Sequence, residues 1–219
     1  MGRFIDLSHD IVAGMTTYPG LPAPHITTHV SREESGERLG SGASFHIGRI
    51  DMVANTGTYL DSPWHFHEDG VDLAGLELER LADLPSTVVR RTEQQPAAID
   101  RDVLPASSIE GHAVLFHTGW DRHWGTDAYG TGAPFLTADL VAALVEHHVA
   151  LVGIDSVNID DVTDGSRPAH TQLLGNGIAI VEHMTNLGAL RDTGCRFFAV
   201  PPTVRGFGTF PVRAFARCD

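Results

Sequence analysis

The hydrophobic pattern of this chain changes period several times. Residues 113–117 (AVLFH) and 149–154 (VALVGI) are unbroken apolar runs of strand length, as expected of strands covered on both faces. Between them, residues 137–147 (TADLVAALVEH) repeat their apolar positions at i, i+3 and i+4. Thr137 stands where an N-cap hydroxyl would accept from the first free backbone N–H groups of a helix. Strand, helix, strand in that order predicts an α/β fold with a mixed or parallel sheet. Residues 4–8, 86–90, 178–182 and 197–200 add shorter strand candidates, 25–31 alternates in polarity, and 44–54 reads as a longer strand. The polar, Gly-containing stretch 32–42 (REESGERLGSG) predicts a loop, and Pro19, Gly20, Pro22 and Pro24 mark turns. Leu76, Leu78, Leu81 and Leu84 predict a short helix over 75–84, stopped by Pro85. No repeat, low-complexity tract or Gly/Ser linker divides the chain, so one domain over residues 1–219 is expected.

Charge narrows the partners. With 28 acidic against 15 basic side chains the net charge is −13, which leaves no basic field for phosphates or anionic lipid heads and predicts neither nucleic acid nor membrane as a partner. All the basic side chains are arginine; without lysine, Schiff-base, pyridoxal-anchor and P-loop chemistry are excluded. Cys195 and Cys218 stand 23 residues apart outside any CxxC spacing, which predicts reduced thiols in an intracellular protein and no cysteine metal ligand. Asp6 and Asp10 interrupt the N-terminal segment where a signal peptide would be apolar, and no run reaches 18 apolar residues. A soluble, cytoplasmic protein is the expectation.

Three segments hold candidate chemistry. Residues 55–70 (NTGTYLDSPWHFHEDG) place Asp61 beside His65 and His67. Pro63 and the glycines argue for a bent loop there, which either ligates a metal, moves protons or is simply solvated. As an H-x-H in a strand, His65 and His67 would share one face, with Trp64 and Phe66 turned to the core. Residues 153–164 (GIDSVNIDDVTD) end an apolar strand in four aspartates, where open α/β sheets commonly seat ligands, although a solvated acidic loop reads the same way. In residues 170–187, His170 precedes a Gly-punctuated turn, and Glu182 ends an apolar run. A lone buried acid requires a partner, either a metal or an arginine.

Together FIDLSHDI with GMTTYPG, NTGTYLDSPWHFHEDG, FHTGW, GIDSVNID, HTQLLGNGIAIVEHMTNL and FFAVPPTVRGFGTFPVRAFA resemble the cyclase family that includes bacterial kynurenine formamidases and isatin hydrolases. The resemblance covers nearly the whole chain and implies a swivelling β/β/α domain with a central mixed sheet, assembled as a homodimer or homotetramer. It implies a metal-dependent hydrolase acting on an amide, lactam or ester bond of a small aromatic or cyclic molecule. The formamidase loop carries two leading histidines where this chain has Asn55 and Tyr59. What survives is the set Asp61, His170 and Glu182 for one divalent ion, zinc or manganese, with His65 as the proton-transfer residue. Tyr59 is then expected to orient substrate or stabilise an oxyanion, and Asn55, Trp64 and Phe66 to contact substrate. Loss of two ligands leaves open a metal-free cyclase, dehydratase or isomerase working through the same acids and bases, or a non-catalytic small-molecule binding protein.

Overall fold

The computed structural model describes residues 2–92 and 97–219. Its strands are β1 (Arg3–Asp6), β2 (His25–Val30), β3 (Ile47–Asp51), β4 (Tyr59–Asp61), β5 (Leu84–Arg90), β6 (Ala98–Ile99), β7 (Ala113–His117), β8 (Phe135–Leu136), β9 (Leu151–Ile154), β10 (Ala179–Glu182), β11 (Thr193–Phe198), β12 (Thr209–Pro211) and β13 (Phe215–Cys218). The α-helices are α1 (Arg32–Leu39) and α2 (Ala138–Glu146). Among the described residues, nine strands form one mixed sheet in the order β1-β13-β11-β5-β7-β9-β10-β4-β12. Its centre, β5, β7, β9 and β10, is parallel, and antiparallel strands flank it on both sides. This is the mixed α/β architecture that the apolar runs and the helix between them predict.

The two-residue period of β7 divides the core. Val114 and Phe116 face α2, where Leu140, Val141 and Leu144 cover them. Leu115 faces the opposite layer, which also holds Ile5 from β1, Leu60 from β4 and Ala216 from β13. Residues from strands near both ends of the sheet meet in that layer, so the sheet curls around it. Thr137 accepts from Leu140 N at 3.2 Å and caps α2 as expected. Thr137→Ala should therefore cost about 1 kcal/mol in a urea melt, with the slope unchanged.

Several expectations are corrected. Residues 32–39 form a helix, not a loop: Ser31 accepts from Glu34 N at 3.1 Å, Glu34 Oε2 accepts from Ser31 N at 2.7 Å, and Gly40 closes the end at φ 62°. That reciprocal capping box offsets the poor helix propensity of Ser and Gly within the segment. The helix expected over 75–84 shrinks to one 3-10 turn, Leu78–Arg80, because Leu84 already belongs to β5. Segment 63–65 is a 3-10 turn and not a strand, so Trp64 and Phe66 are 39% and 43% exposed instead of core residues.

The two cysteines are not reduced thiols. Cys195 and Cys218 lie opposite each other in the antiparallel β11:β13 pair, with Cα atoms 4.3 Å apart, and form a disulfide. Spacing along the chain gave no sign of this because register, not separation, brings them together. Among the described residues no helix is long and apolar enough to cross a membrane.

Candidate active site

The acids sit where strands end. In the antiparallel β10:β4 pair Tyr59 is opposite Glu182, and Asp61 is flanked by Ile180 on one side and Thr209 of β12 on the other. Glu182 is 1% exposed. Its Oε2 accepts from the Tyr59 hydroxyl and its Oε1 from Ile159 N, each at 2.7 Å. Burial pushes the Glu182 carboxyl up, and His170 opposes that shift. Asp61 is fully buried; Thr209 donates to its Oδ1, while its Oδ2 has no hydrogen-bond partner among the described residues. Burial raises Asp61 to about 6 against the pull of His170 and the Thr209 hydrogen bond.

His170 opens a π-helical turn, His170–Leu174, a local widening frequent at functional sites. Asp160 fixes it by accepting from His170 Nδ1 at 2.6 Å, from Ala169 N at 2.6 Å and from His170 N at 3.1 Å. With Nδ1 committed as donor, Nε2 faces the acids, 3.8 Å from Asp61 Oδ2 and 3.9 Å from Glu182 Oε1. This is the carboxylate–imidazole pairing that orients metal-ligating histidines. Burial pulls the His170 pKa down, but the Asp160 hydrogen bond and the charges of Glu182, Asp61 and Asp160 outweigh it and hold it at about 9. His65 places Nε2 3.8 Å from Asp61 Oδ1, and burial followed by the His170 charge lowers its pKa. One ligand atom each from Asp61, His65 and His170 lies within 4.8 Å of the others.

Donors bound to one tetrahedral zinc at about 2.0–2.1 Å stand about 3.3 Å apart. Separations of 3.8 and 3.9 Å around His170 Nε2, and a buried carboxylate oxygen with no donor, fit a divalent cation. A cavity of about 330 Å³ opens over this cluster, and Asn55, Tyr59, Phe66, Asn158 and Arg167 line it. A larger cleft of about 720 Å³ between segments 12–19 and 124–131 contains none of Asp61, His65, His170 and Glu182. Convergence of acids and imidazoles makes the smaller cavity the candidate site, whatever its size.

Each expected residue has a definite place. Asp61, His65 and His170 come together within 4.8 Å of one another, and Glu182 joins them through His170, its Oε1 3.9 Å from Nε2. Asn55 and Phe66 reach the cavity wall, and the Phe66 ring stacks on His170 at 4.7 Å. Trp64 lines an adjoining groove with residues 206–209, which shares Asn55 and His65 with the cavity. The Tyr59 hydroxyl, 3% exposed as a residue, is committed to Glu182. Behind it lies His183, whose Nε2 is 3.3 Å from Tyr59 Oη and whose Nδ1 is 2.8 Å from Tyr129 Oη. Since Tyr59 donates to Glu182, His183 donates through Nε2 and accepts from Tyr129 through Nδ1. Burial, then His9, lowers His183 to about 3, which keeps the ring neutral. His67 accounts for itself structurally, its Nε2 lying 3.0 Å from Thr171 O.

The sequence reading missed Asp160, Thr209 and His183. Only Asp160 carried a signal, as one of the four aspartates after β9. Of the others in that run, Asp155 is occupied by Thr118 N, Thr118 Oγ1 and Gly119 N.

Known proteins are similar to this chain in sequence and in fold. A kynurenine formamidase of Bacillus cereus is 28% identical over 216 residues, covering 98% of this chain and 97% of that protein. One from Bacillus mycoides is 29% identical over the same length, again with 98% and 97% covered. Among solved structures, a potential metal-dependent hydrolase with cyclase activity superposes with a TM-score of 0.81 at 26% identity, covering 100% of this chain and 99% of the other. Isatin hydrolase A from Ralstonia solanacearum gives 0.86 at 21% identity over 100% of this chain and 92% of its own, and shows the fold alone. The Cyclase family model matches residues 5–161. With most of its length matched by that model, the chain belongs to the Cyclase family.

Proposed function

We propose that this Cyclase-family protein is a metal-dependent hydrolase of an amide, lactam or ester bond in a small aromatic or cyclic molecule, working as a homodimer or homotetramer. Asp61, His170 and Glu182 would hold one divalent ion, zinc or manganese, both of which accept imidazole with carboxylates. The observation that carries this reading is the buried, partnerless Oδ2 of Asp61, 3.8 Å from His170 Nε2, with the buried Glu182 Oε1 3.9 Å from the same nitrogen. Replacing all three by apolar residues would be no worse for folding, so a cluster of this kind points to use. The formamidase relatives support amide hydrolysis.

When bound, the ion supplies Lewis acidity to the carbonyl and lowers the pKa of water. The chain does the rest. His65, with its pKa lowered by burial, is neutral near pH 7 and accepts the proton of the water whose oxygen adds to the carbonyl carbon. As the C–N or C–O bond breaks, the same imidazole returns that proton to the leaving nitrogen or oxygen, giving a carboxylic acid and an amine or alcohol. Tyr59 stays protonated, because burial and the Glu182 charge raise it well above the usual phenol range. It holds Glu182 and takes no part as a base. Asn55 and Phe66 offer an amide and a ring to the substrate.

Glu182→Gln is the test. Wild-type protein purified without a metal-affinity tag is expected to carry about one divalent ion per chain by elemental analysis, and the variant about a tenth of that or less, with turnover of formanilides, lactams and aryl esters down by about 10³-fold. A metal-free variant with wild-type turnover would refute the assignment and favour acid–base chemistry without an ion.

A further inference from the structure

The site described so far recognises a carbonyl but says nothing about the rest of the substrate. Arg167 does. Among the residues that line the 330 Å³ cavity it is the one permanently charged cation, in a protein whose net charge of −13 otherwise repels anions. Arg167 is half-buried, yet among the described residues no carboxylate lies within salt-bridge distance of it. Its Nη1 donates to Asn158 Oδ1 at 3.1 Å and its Nη2 to Val162 O at 3.4 Å. A guanidinium has five N–H donors in a fixed fork, so three remain without a protein acceptor among the described residues.

The backbone points the same way. Arg167 has φ 45° and is followed by Pro168. A side chain with a Cβ is disfavoured in the left-handed region, and a following proline narrows the choice further. Asn or Gly would sit there with less strain, and strain kept at a cavity wall is a sign of use. The brace is also shared with the catalytic cluster: Asn158 Oδ1, which holds the guanidinium, accepts from Asp160 N at 3.0 Å, and Asp160 holds His170.

We infer that Arg167 is a specificity-determining residue that binds a carboxylate on the substrate, making this a hydrolase of small anionic amides, lactams or esters. The inference rests on the hydrolase reading above. The planar fork matches a carboxylate with two parallel hydrogen bonds, and the apolar Tyr18, Leu21 and Phe66 on the same wall accommodate a ring between the anion and the scissile bond.

The test uses 2-formamidobenzoate and its neutral carboxamide analogue as paired probes at pH 7. Wild type should favour the anion in kcat/KM, and in Arg167→Gln the anion-to-neutral ratio should fall at least about 10-fold, mainly through KM, with Arg167→Lys intermediate. Arg167→Gly should show the same loss of preference together with a rise of about 2 °C in Tm, since it relieves the backbone. If wild type turns over neither probe, the hydrolase reading fails; calorimetric binding of 2-aminobenzoate then still decides the role of Arg167, with at least about 10-fold weaker binding expected in Arg167→Gln. An unchanged ratio, equal anion binding by both proteins or by neither, or a lower Tm in Arg167→Gly with both probes impaired alike would overturn the assignment. The last result would mean that Arg167 only braces the loop between Asn158 and His170.

Discussion

Asp61→Asn is expected to give a protein that folds more stably without metal than the wild type does, binds divalent ions at least about 100-fold more weakly, and loses about 10³-fold or more in turnover. Asp61 faces both imidazoles, with His65 Nε2 3.8 Å from Oδ1 and His170 Nε2 3.8 Å from Oδ2, so under the proposed roles its charge would serve both the cation and the proton carrier. Asn keeps an oxygen to accept from Thr209 but puts an amide where the partnerless oxygen was. The sign of the stability effect follows from burial. Desolvation raises the folded-state carboxyl from 3.8 to about 6, so the folded state binds more protons between those values. The group's contribution is fully present below pH 3.8 and is lost as pH rises through about 6. At pH 7 the metal-free wild type should be the less stable by about 1–3 kcal/mol, and the gap should close toward pH 4. Urea melts of chelator-treated proteins across that range measure it. Equal stability at pH 7, or metal binding unaffected by the substitution, would mean that Asp61 is not the ion's anchor.

That trade-off explains why parts of the site were legible along the chain and others not. Glu182 announces itself because a carboxylate at the end of AIVE, after three apolar residues of a buried strand, conflicts with burial unless something meets it. The strands of the parallel core and the capped α2 are visible for the opposite reason: local pattern and tertiary environment agree. Disagreement hides features. Segment 32–39 has hardly any apolar residue, and its helix rests on the reciprocal bonds of Ser31 and Glu34, a signal three residues long inside a polar stretch. Cys195 and Cys218 meet through strand register, and Thr209 reaches Asp61 from 148 residues away. No local pattern encodes such pairings, because they exist only once the sheet order does. His170 could be named from its motif, but the carboxylate that orients it stood among three other aspartates, of which Asp155 holds a loop instead.

Gly208→Ala should separate metal holding from proton transfer, with retention of the ion, a fall of about 10²-fold in kcat, and a loss of about 1–3 kcal/mol in stability. Gly208 lies just before β12, where it accepts from Ser62 N at 2.7 Å and runs directly against the turn that carries His65. A Cβ there would stand 2.6 Å from both N and Cα of His65 and 3.0 Å from its Cβ. These are backbone atoms and cannot swing aside, so the turn has to move by several tenths of an ångström or more. His170 and Glu182 belong to other segments, and Asp61 is held inside the sheet between β10 and β12, whereas His65, on the turn that meets the new Cβ, leaves its place beside Asp61. Gly175→Ala is the matched control: its Cβ would meet only the His67 ring, at 3.2 Å, and a partly exposed side chain can yield. The control should therefore change stability by less than about 1 kcal/mol and leave kcat near wild type. Elemental analysis, urea melts and single-turnover kinetics on the two variants distinguish the outcomes. Were Gly208→Ala folded, metal-loaded and fully active, His65 would not be the group that carries the proton.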